Sequence, residues 1–234
     1  MKALRIEFCG EWYEVEPPNE FLIGREGDLI VDENPYLHRR FLRLYSDFGM
    51  WWLGNVGNLL AATITDGTGG VHAWLAPDAR IPIVFETMHV LFTAGSTAYD
   101  FTIHSSEDYF NSSSAHSGAA GATTIDPIPL TTSQRQLIVS LAEDVLNESI
   151  PGKGQIPSSA QAAARLGWTM TAFNRKLDNV CDKLDKVGVQ GLRGGKGNLA
   201  TNRRSRLVEY AVATRLVSRD DLVLLPAKVR ASST

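Results

Sequence analysis

Residues 105–128, SSEDYFNSSSAHSGAAGATTIDPI, divide this sequence, because the hydrophobic period changes across them. The segment is mostly Ser, Ala, Gly and Thr and has little apolar bulk. Such a composition buries too little surface to offset the entropy of ordering it, and it reads as a flexible linker. The chain is therefore expected to form one domain over residues 1–104 and another over 129–234.

Before the divide the pattern is that of strands. ALRIEF, EWYEV, FLIG, FLRLYSD, MWWLGN, ATITD, VHAWL, RIPIVFE, HVLFTAG and AYDFTIH are short, rich in β-branched and aromatic residues, and partly alternating. Turn residues punctuate them at Cys9-Gly10, Pro17-Pro18-Asn19, Asp47-Phe48-Gly49, Asp66-Gly67, Ala76-Pro77-Asp78 and Ala94-Gly95. Many short strands with regular turns predict an antiparallel sandwich. After Pro129 the period becomes helical. Leu137, Leu141 and Val145 recur at i, i+4, i+8, with Ser133 a candidate N-cap. Phe173, Leu177, Val180, Cys181 and Leu184 share one face of TAFNRKLDNVCDKL, and RLVEYAVATRLV predicts a last helix over 206–217. The fold class expected is a multidomain chain, an all-β sandwich followed by an all-α domain.

Charge separates the same halves. Residues 1–128 hold 7 Lys+Arg against 17 Asp+Glu, a net of −10; residues 129–234 hold 16 against 9, a net of +7. The basic half is the place to look for nucleic acid. No apolar run is long enough to span a bilayer, and MKALRIEFCGEWYEV is no signal peptide, so the chain is expected to be cytoplasmic with no membrane partner. Cys9 and Cys181 fit no metal or redox spacing and read as small buried residues. Trp51, Trp52, Trp74 and Trp168 read as core or domain-interface aromatics. His72, His89, His104 and His116 show no ligand spacing, and IPGKGQ lacks the spacing of a phosphate-binding loop. With no nucleophile, base and oxyanion set, neither an enzyme nor a cofactor is expected.

Two motifs carry function. The first is FLIGRE at 21–26 followed by NPYLHRRF at 34–41, two basic segments a loop apart. With WWLGNVGN and the closing strand pair, residues 3–103 resemble the forkhead-associated (FHA) domain, an eleven-stranded sandwich that binds phosphothreonine peptides. The resemblance implies that Arg25, paired with Gly24, contacts phosphate. It matches His38-Arg39-Arg40-Phe41-Leu42 to a loop that usually reads Ser-Arg-Arg-His-Ala, and Leu60-Ala61-Ala62 to a usual Asn-Gly-Thr. The candidate anion-binding residues are thus Arg25, His38, Arg39 and Arg40. Like charge from the arginines is expected to lower the His38 pKa. Phe41 is expected to brace the loop by packing where the family has a histidine. The implied partner is a protein, phosphorylated if this altered pocket still works. Thr123 and Thr124 of the linker are candidate phosphoacceptors that would fold back onto Arg25 and His38.

The second motif is SSAQAAARLGWTMTAFNRKLDNVCDKL, 158–184, with helix-turn-helix spacing: Ala163 small at the crossing, Gly167 at the turn, Phe173 buried, and Thr169 or Thr171 capping the second helix. That helix resembles the recognition helix of LuxR-type regulators, which often ends in Lys-Leu as at Lys183-Leu184. The two-domain order resembles that of uncharacterised actinobacterial FHA proteins. Thr171, Asn174, Arg175 and Asp178 are expected to face outward, where Asn and Arg suit base edges. Thr169, Lys176 and Lys183, with Arg193, Lys196, Arg203 and Arg204 of a following Gly/Arg-rich basic loop, complete the DNA-binding candidates. Three readings stay open: an adaptor or transcriptional regulator coupling protein recognition to DNA; a protein-interaction scaffold with a degenerate pocket and no DNA binding; and a phosphoprotein-regulated enzyme subunit.

Overall fold

The computed structural model describes residues 2–67, 71–106, 130–147, 152–192 and 200–226, with the side chains of 200–202 left aside. The linker beyond Ser106, with Thr123 and Thr124, and the loop cations Arg193 and Lys196 lie outside the described residues. The chain divides into two compact units.

The first is a sandwich of eleven strands: β1 (Leu4–Phe8), β2 (Glu11–Val15), β3 (Phe21–Gly24), β4 (Leu29–Ile30), β5 (Leu42–Asp47), β6 (Met50–Asn55), β7 (Ala62–Asp66), β8 (His72–Leu75), β9 (Arg80–Pro82), β10 (Thr87–Ala94) and β11 (Thr97–Ser105). One sheet runs β2-β1-β11-β10-β7-β8, the other β4-β3-β5-β6-β9. Between them lies a core that includes Leu4, Ile6, Ile23, Phe41, Leu44, Trp51, Phe92, Tyr99 and Phe101. Alternation builds it: in β1 Leu4, Ile6 and Phe8 are buried and Arg5 is exposed. The buried Trp51 keeps its indole N–H satisfied by donating to the Lys2 carbonyl at 2.9 Å.

The sandwich departs from expectation in its pairing and in the exposure of three side chains. The sandwich is not wholly antiparallel, because the two-residue β4 pairs parallel with β3, Ile23 against Leu29 and Gly24 against Ile30. A strand that short has no period to read. It is held by its turn, where the Asp28 N–H donates to the Leu22 carbonyl (2.9 Å) and the Leu22 N–H to the Asp28 carboxylate (2.7 Å). Cys9 is exposed rather than buried, at φ 54 in the β1–β2 turn. Cys181 is buried as expected, and burial pushes its thiol pKa to about 11. Trp74 is 38 % exposed, and Trp52 is half-buried beneath the Arg80 guanidinium, 4.4 Å from the ring centroid.

The second unit holds α1 (Thr132–Asn147), a short strand β12 (Lys153–Gln155), α2 (Ser159–Leu166), α3 (Met170–Lys186), α4 (Ala200–Ala213) and a 3-10 turn, Arg219–Leu224. It is not all-α. β12 contains no β-branched or aromatic residue, so tertiary contacts place it; the Gln155 N–H donates to Asp144 of α1 at 2.7 Å. The cap of α1 is Thr131, not Ser133. Its hydroxyl accepts from the Gln134 N–H, and Gln134 reaches back to the Thr131 N–H, a reciprocal capping box. The last helix begins at Ala200 and ends at Ala213, against the expected 206–217. Arg215 takes φ 54 and the Val217 N–H closes on Ala211, so apolar residues past the helix end still pack inward and mimic its continuation.

Candidate functional site

The sandwich presents one loop cluster in which the predicted anion-binding residues meet. The end of β3 and the β4–β5 loop are joined by main-chain hydrogen bonds: Arg25 N–H to His38 carbonyl (2.9 Å), Glu26 N–H to Arg39 carbonyl (2.7 Å) and Phe41 N–H to Ile23 carbonyl (2.8 Å). Gly24 permits this approach, since a Cβ there would lie 2.4 Å from the Arg39 carbonyl oxygen. Arg25 is half-buried at this seam and Arg40 is exposed. Among the described residues, no carboxylate pairs with either. Arg39 forms an exposed pair with Glu26 at 3.4 Å, a contact of little energetic weight.

Residues outside the predicted set fix the loops. The Asn34 amide donates to the Ala94 carbonyl (3.1 Å) and the Tyr99 hydroxyl (2.9 Å), and its oxygen accepts from the Tyr36 N–H (3.0 Å). Tyr99 in turn donates to Asp32 at 2.6 Å. The buried Asn55 does the same for the β6–β7 loop. It donates to the Leu60 and Leu75 carbonyls and accepts from the Gly57 N–H. The Asn34-Pro35 dipeptide signals a turn; the role of Asn55, at a strand end, has no local signal.

His38 connects the two loops, and its role differs from the predicted one. Its ring lies on Gly57, where a Cβ would stand 2.5 Å from His38 Cδ2. Its Nε2 faces the N–H groups of Leu59 (3.2 Å) and Leu60 (3.4 Å). Both are donors, so Nε2 is an unprotonated acceptor and the ring is neutral. The pKa is lowered as expected, but by burial and not by the neighbouring arginines. Phe41, wholly buried, packs against Phe92 (centroids 4.9 Å) and beneath the His38 ring (6.0 Å), and its carbonyl accepts the Val56 and Gly57 N–H groups. Phe41 thus braces the loop by packing and His38 by hydrogen bonding. Tyr36 and Leu59, 71 % and 81 % exposed, extend from the same loops.

Solved FHA domains are similar to this sandwich. They include FHA-1 of Rv1747 from Mycobacterium tuberculosis and the FHA domain of an Arabidopsis thaliana hypothetical protein, each 15 % identical over 44 % of this chain. The matches cover 94 % and 82 % of those chains, both at a TM-score of 0.33. This is a likeness of fold, and at that TM-score it carries no argument about the pocket. No family model matches the chain, and no curated protein matches it in sequence.

In the helical unit, α2 and α3 are joined by a tight turn. Ser158 caps α2 in a capping box with Gln161, Gly167 closes it at φ 69, and Thr169 caps α3 by accepting from the Ala172 N–H (3.3 Å). Ala163 is buried at the crossing, and Phe173, Leu177, Val180, Cys181 and Leu184 form the buried face of α3. Thr171, Asn174, Arg175 and Asp178 are exposed together. The other predicted DNA contacts point elsewhere. Lys176 donates to Ser133 (2.9 Å) and lies over the Trp168 ring (5.5 Å), and Lys183 donates to Gln134 (3.0 Å). Arg203 pairs with Asp178 (2.8 Å), and Arg204 donates to the Pro157 carbonyl (3.1 Å), where burial lowers its pKa. Among the described residues, no group of His, Cys, Asp and Glu could hold a metal ion, and no helix is long and apolar enough to cross a membrane.

Proposed function

We propose that the sandwich is a protein-recognition module that takes a phosphothreonine peptide on its loop face. One observation carries this: Arg25 and Arg40 stand on main chain joined by hydrogen bonds, with no carboxylate partner among the described residues. Guanidinium groups held on fixed loops suit a phosphate dianion, because charge-assisted hydrogen bonds to Arg are strong and directional. The resemblance of FLIGRE and NPYLHRRF to FHA segments points to the same chemistry by analogy alone. The test is fluorescence anisotropy with a peptide pool carrying a central phosphothreonine, against its unphosphorylated counterpart. Preference for the phosphorylated pool, lost in Arg25→Ala, is expected; equal binding of both pools refutes the reading.

A second reading, DNA binding by the helical unit, rests on the tight α2–α3 turn and on the exposed Thr171, Asn174 and Arg175 along α3. In it the chain is a cytoplasmic adaptor or transcriptional regulator coupling protein recognition to DNA. Retardation of a mixed-sequence duplex by the full chain, falling as salt rises, is expected. No retardation even at low salt leaves a protein-interaction scaffold.

A further inference from the structure

The β6–β7 loop turns two successive main-chain N–H groups, Leu59 and Leu60, toward one acceptor. Paired main-chain donors of this kind form a concavity suited to an anion. Here the acceptor is internal. His38 reaches the loop from the β4–β5 side, passing over Gly57, which has no side chain to block it. The His38 carbonyl in turn accepts from the Arg25 main-chain N–H, so His38 ties the amide pair and the Arg25 backbone to one seam.

We infer that the His38 imidazole occupies the subsite of a phosphate oxygen, and that a phosphorylated peptide binds by displacing Nε2 from the Leu59 and Leu60 amides while His38 takes up a proton. The inference rests on the phosphopeptide reading and adds a gate to it. The proton balance is simple. In the free protein Nε2 accepts from two N–H groups and cannot carry a proton. In the complex the amides donate to phosphate oxygen, Nε2 gains a proton from solvent, and the imidazolium faces the dianion as a donor.

The surroundings agree with this. Between Asn55 and Ala62 the loop beneath the ring has no titratable side chain. The charged groups on the neighbouring segments are Arg25, Glu26 and Asp28 after β3, Asp32, whose carboxylate accepts from Tyr99, Glu33, and Arg39 and Arg40, which follow His38 in the chain. Partial burial lowers the pKa of the free ring, which keeps it neutral and the gate closed near neutral pH. A bound dianion reverses that preference. Binding therefore tightens as pH falls from 8 toward 6, until protonation of the phosphate itself, with a pKa of about 6, opposes it.

Calorimetry on the full chain tests this, with the phosphothreonine peptide pool in buffers of different ionisation enthalpy at pH 6 and pH 8. Three proteins are compared: wild type, His38→Ala and His38→Gln, the last keeping an acceptor for the two amides without titrating. Wild type is expected to take up as much as about one proton more per peptide than either variant. His38→Ala is expected to bind up to about tenfold tighter at pH 8, since its amide pair is vacant. Binding by His38→Ala at pH 8 where wild type shows none would also support the gate. Identical proton uptake in all three overturns the gate and leaves phosphopeptide recognition standing. Absence of peptide binding in all three, with amide spectra showing folded protein, overturns both.

Discussion

The sandwich loops and the helical unit differ in how far their basic side chains are paired. On the loops, Arg25 and Arg40 have no carboxylate partner among the described residues, although this half of the sequence is the acidic one. In the basic half, Arg165 forms two bonds to Glu143 (2.8 and 3.2 Å), and Arg206 pairs with Glu209 at 2.6 Å. Arg135 reaches Asp221 at 3.2 Å, and Arg203, Arg204, Lys176 and Lys183 are engaged as described above. Of the predicted DNA-contacting cations among the described residues, Arg175 alone is both exposed and without an assigned partner. Net charge thus tells which half is basic, while the geometry decides which cations are paired with carboxylates. In the helical unit arginines fasten helices; on the hydrogen-bonded loops Arg25 and Arg40 keep no carboxylate partner among the described residues.

The comparison breaks first at the two cores. Phe173→Ala should destabilise the helical unit by about 4 kcal/mol through an unfilled cavity, while the sandwich transition stays in place. Two-probe urea melts following each unit check this; a shift of both transitions together would join what the comparison separates. Gly24→Ala should follow at about 3 kcal/mol. Its methyl meets a main-chain oxygen that cannot move without opening the seam, so peptide binding should fall with sandwich stability.

The sharpest contrast is between two arginines. Arg165→Ala should cost about 2 kcal/mol of helical-unit stability, because it removes the ion pair from the mostly buried Glu143 carboxylate, and should leave peptide binding unchanged. Arg25→Ala should leave stability within about 0.5 kcal/mol and weaken the phosphothreonine pool about 10- to 100-fold. Thermal melts beside anisotropy read both. On α3, Arg175→Ala should reduce the salt dependence of duplex binding by about one unit of log–log slope, and Lys176→Ala should not.

The smallest effect is that of pH on the sandwich. The His38 pKa is lowered in the folded state, so the folded protein binds fewer protons than the unfolded chain around pH 6. The neutral His38 contact to the Leu59 and Leu60 amides therefore contributes its full stability above the ordinary histidine pKa of about 6.5 and loses it as pH falls through the lowered folded value. Melts of wild type between pH 8 and pH 5 should show a decline that His38→Gln lacks.

Much of this was legible in the sequence, for local reasons. The buried face of α3 follows from a period that neighbouring turns impose, and Gly167 follows from the left-handed residue that a helix end favours. Ten of the eleven strands were marked by β-branched and aromatic residues between turn signals; β4 was not, being two residues long and held by its turn. Arg25 and the His38 loop were proposed from the resemblance of FLIGRE and NPYLHRRF to FHA segments. The work His38 does was not, because its partners, the Leu59 and Leu60 amides, lie more than twenty residues on and belong to main chain, which leaves no trace in residue type. The Asn34–Tyr99–Asp32 contacts escaped because they join side chains more than sixty residues apart.

By itself, then, the sequence determined the division into a strand-built and a helix-built unit, the apolar faces of each, and the positions of the basic residues. Those are properties of short-range pattern, set by backbone periodicity and by the exclusion of apolar side chains from water. Tertiary structure alone decided which cations are neutralised, which N–H groups converge, and that one histidine is an acceptor rather than a donor. Those outcomes depend on distances between segments remote in the chain. Hydrogen bonds and ion pairs act over a few ångströms in space, whatever the separation in sequence.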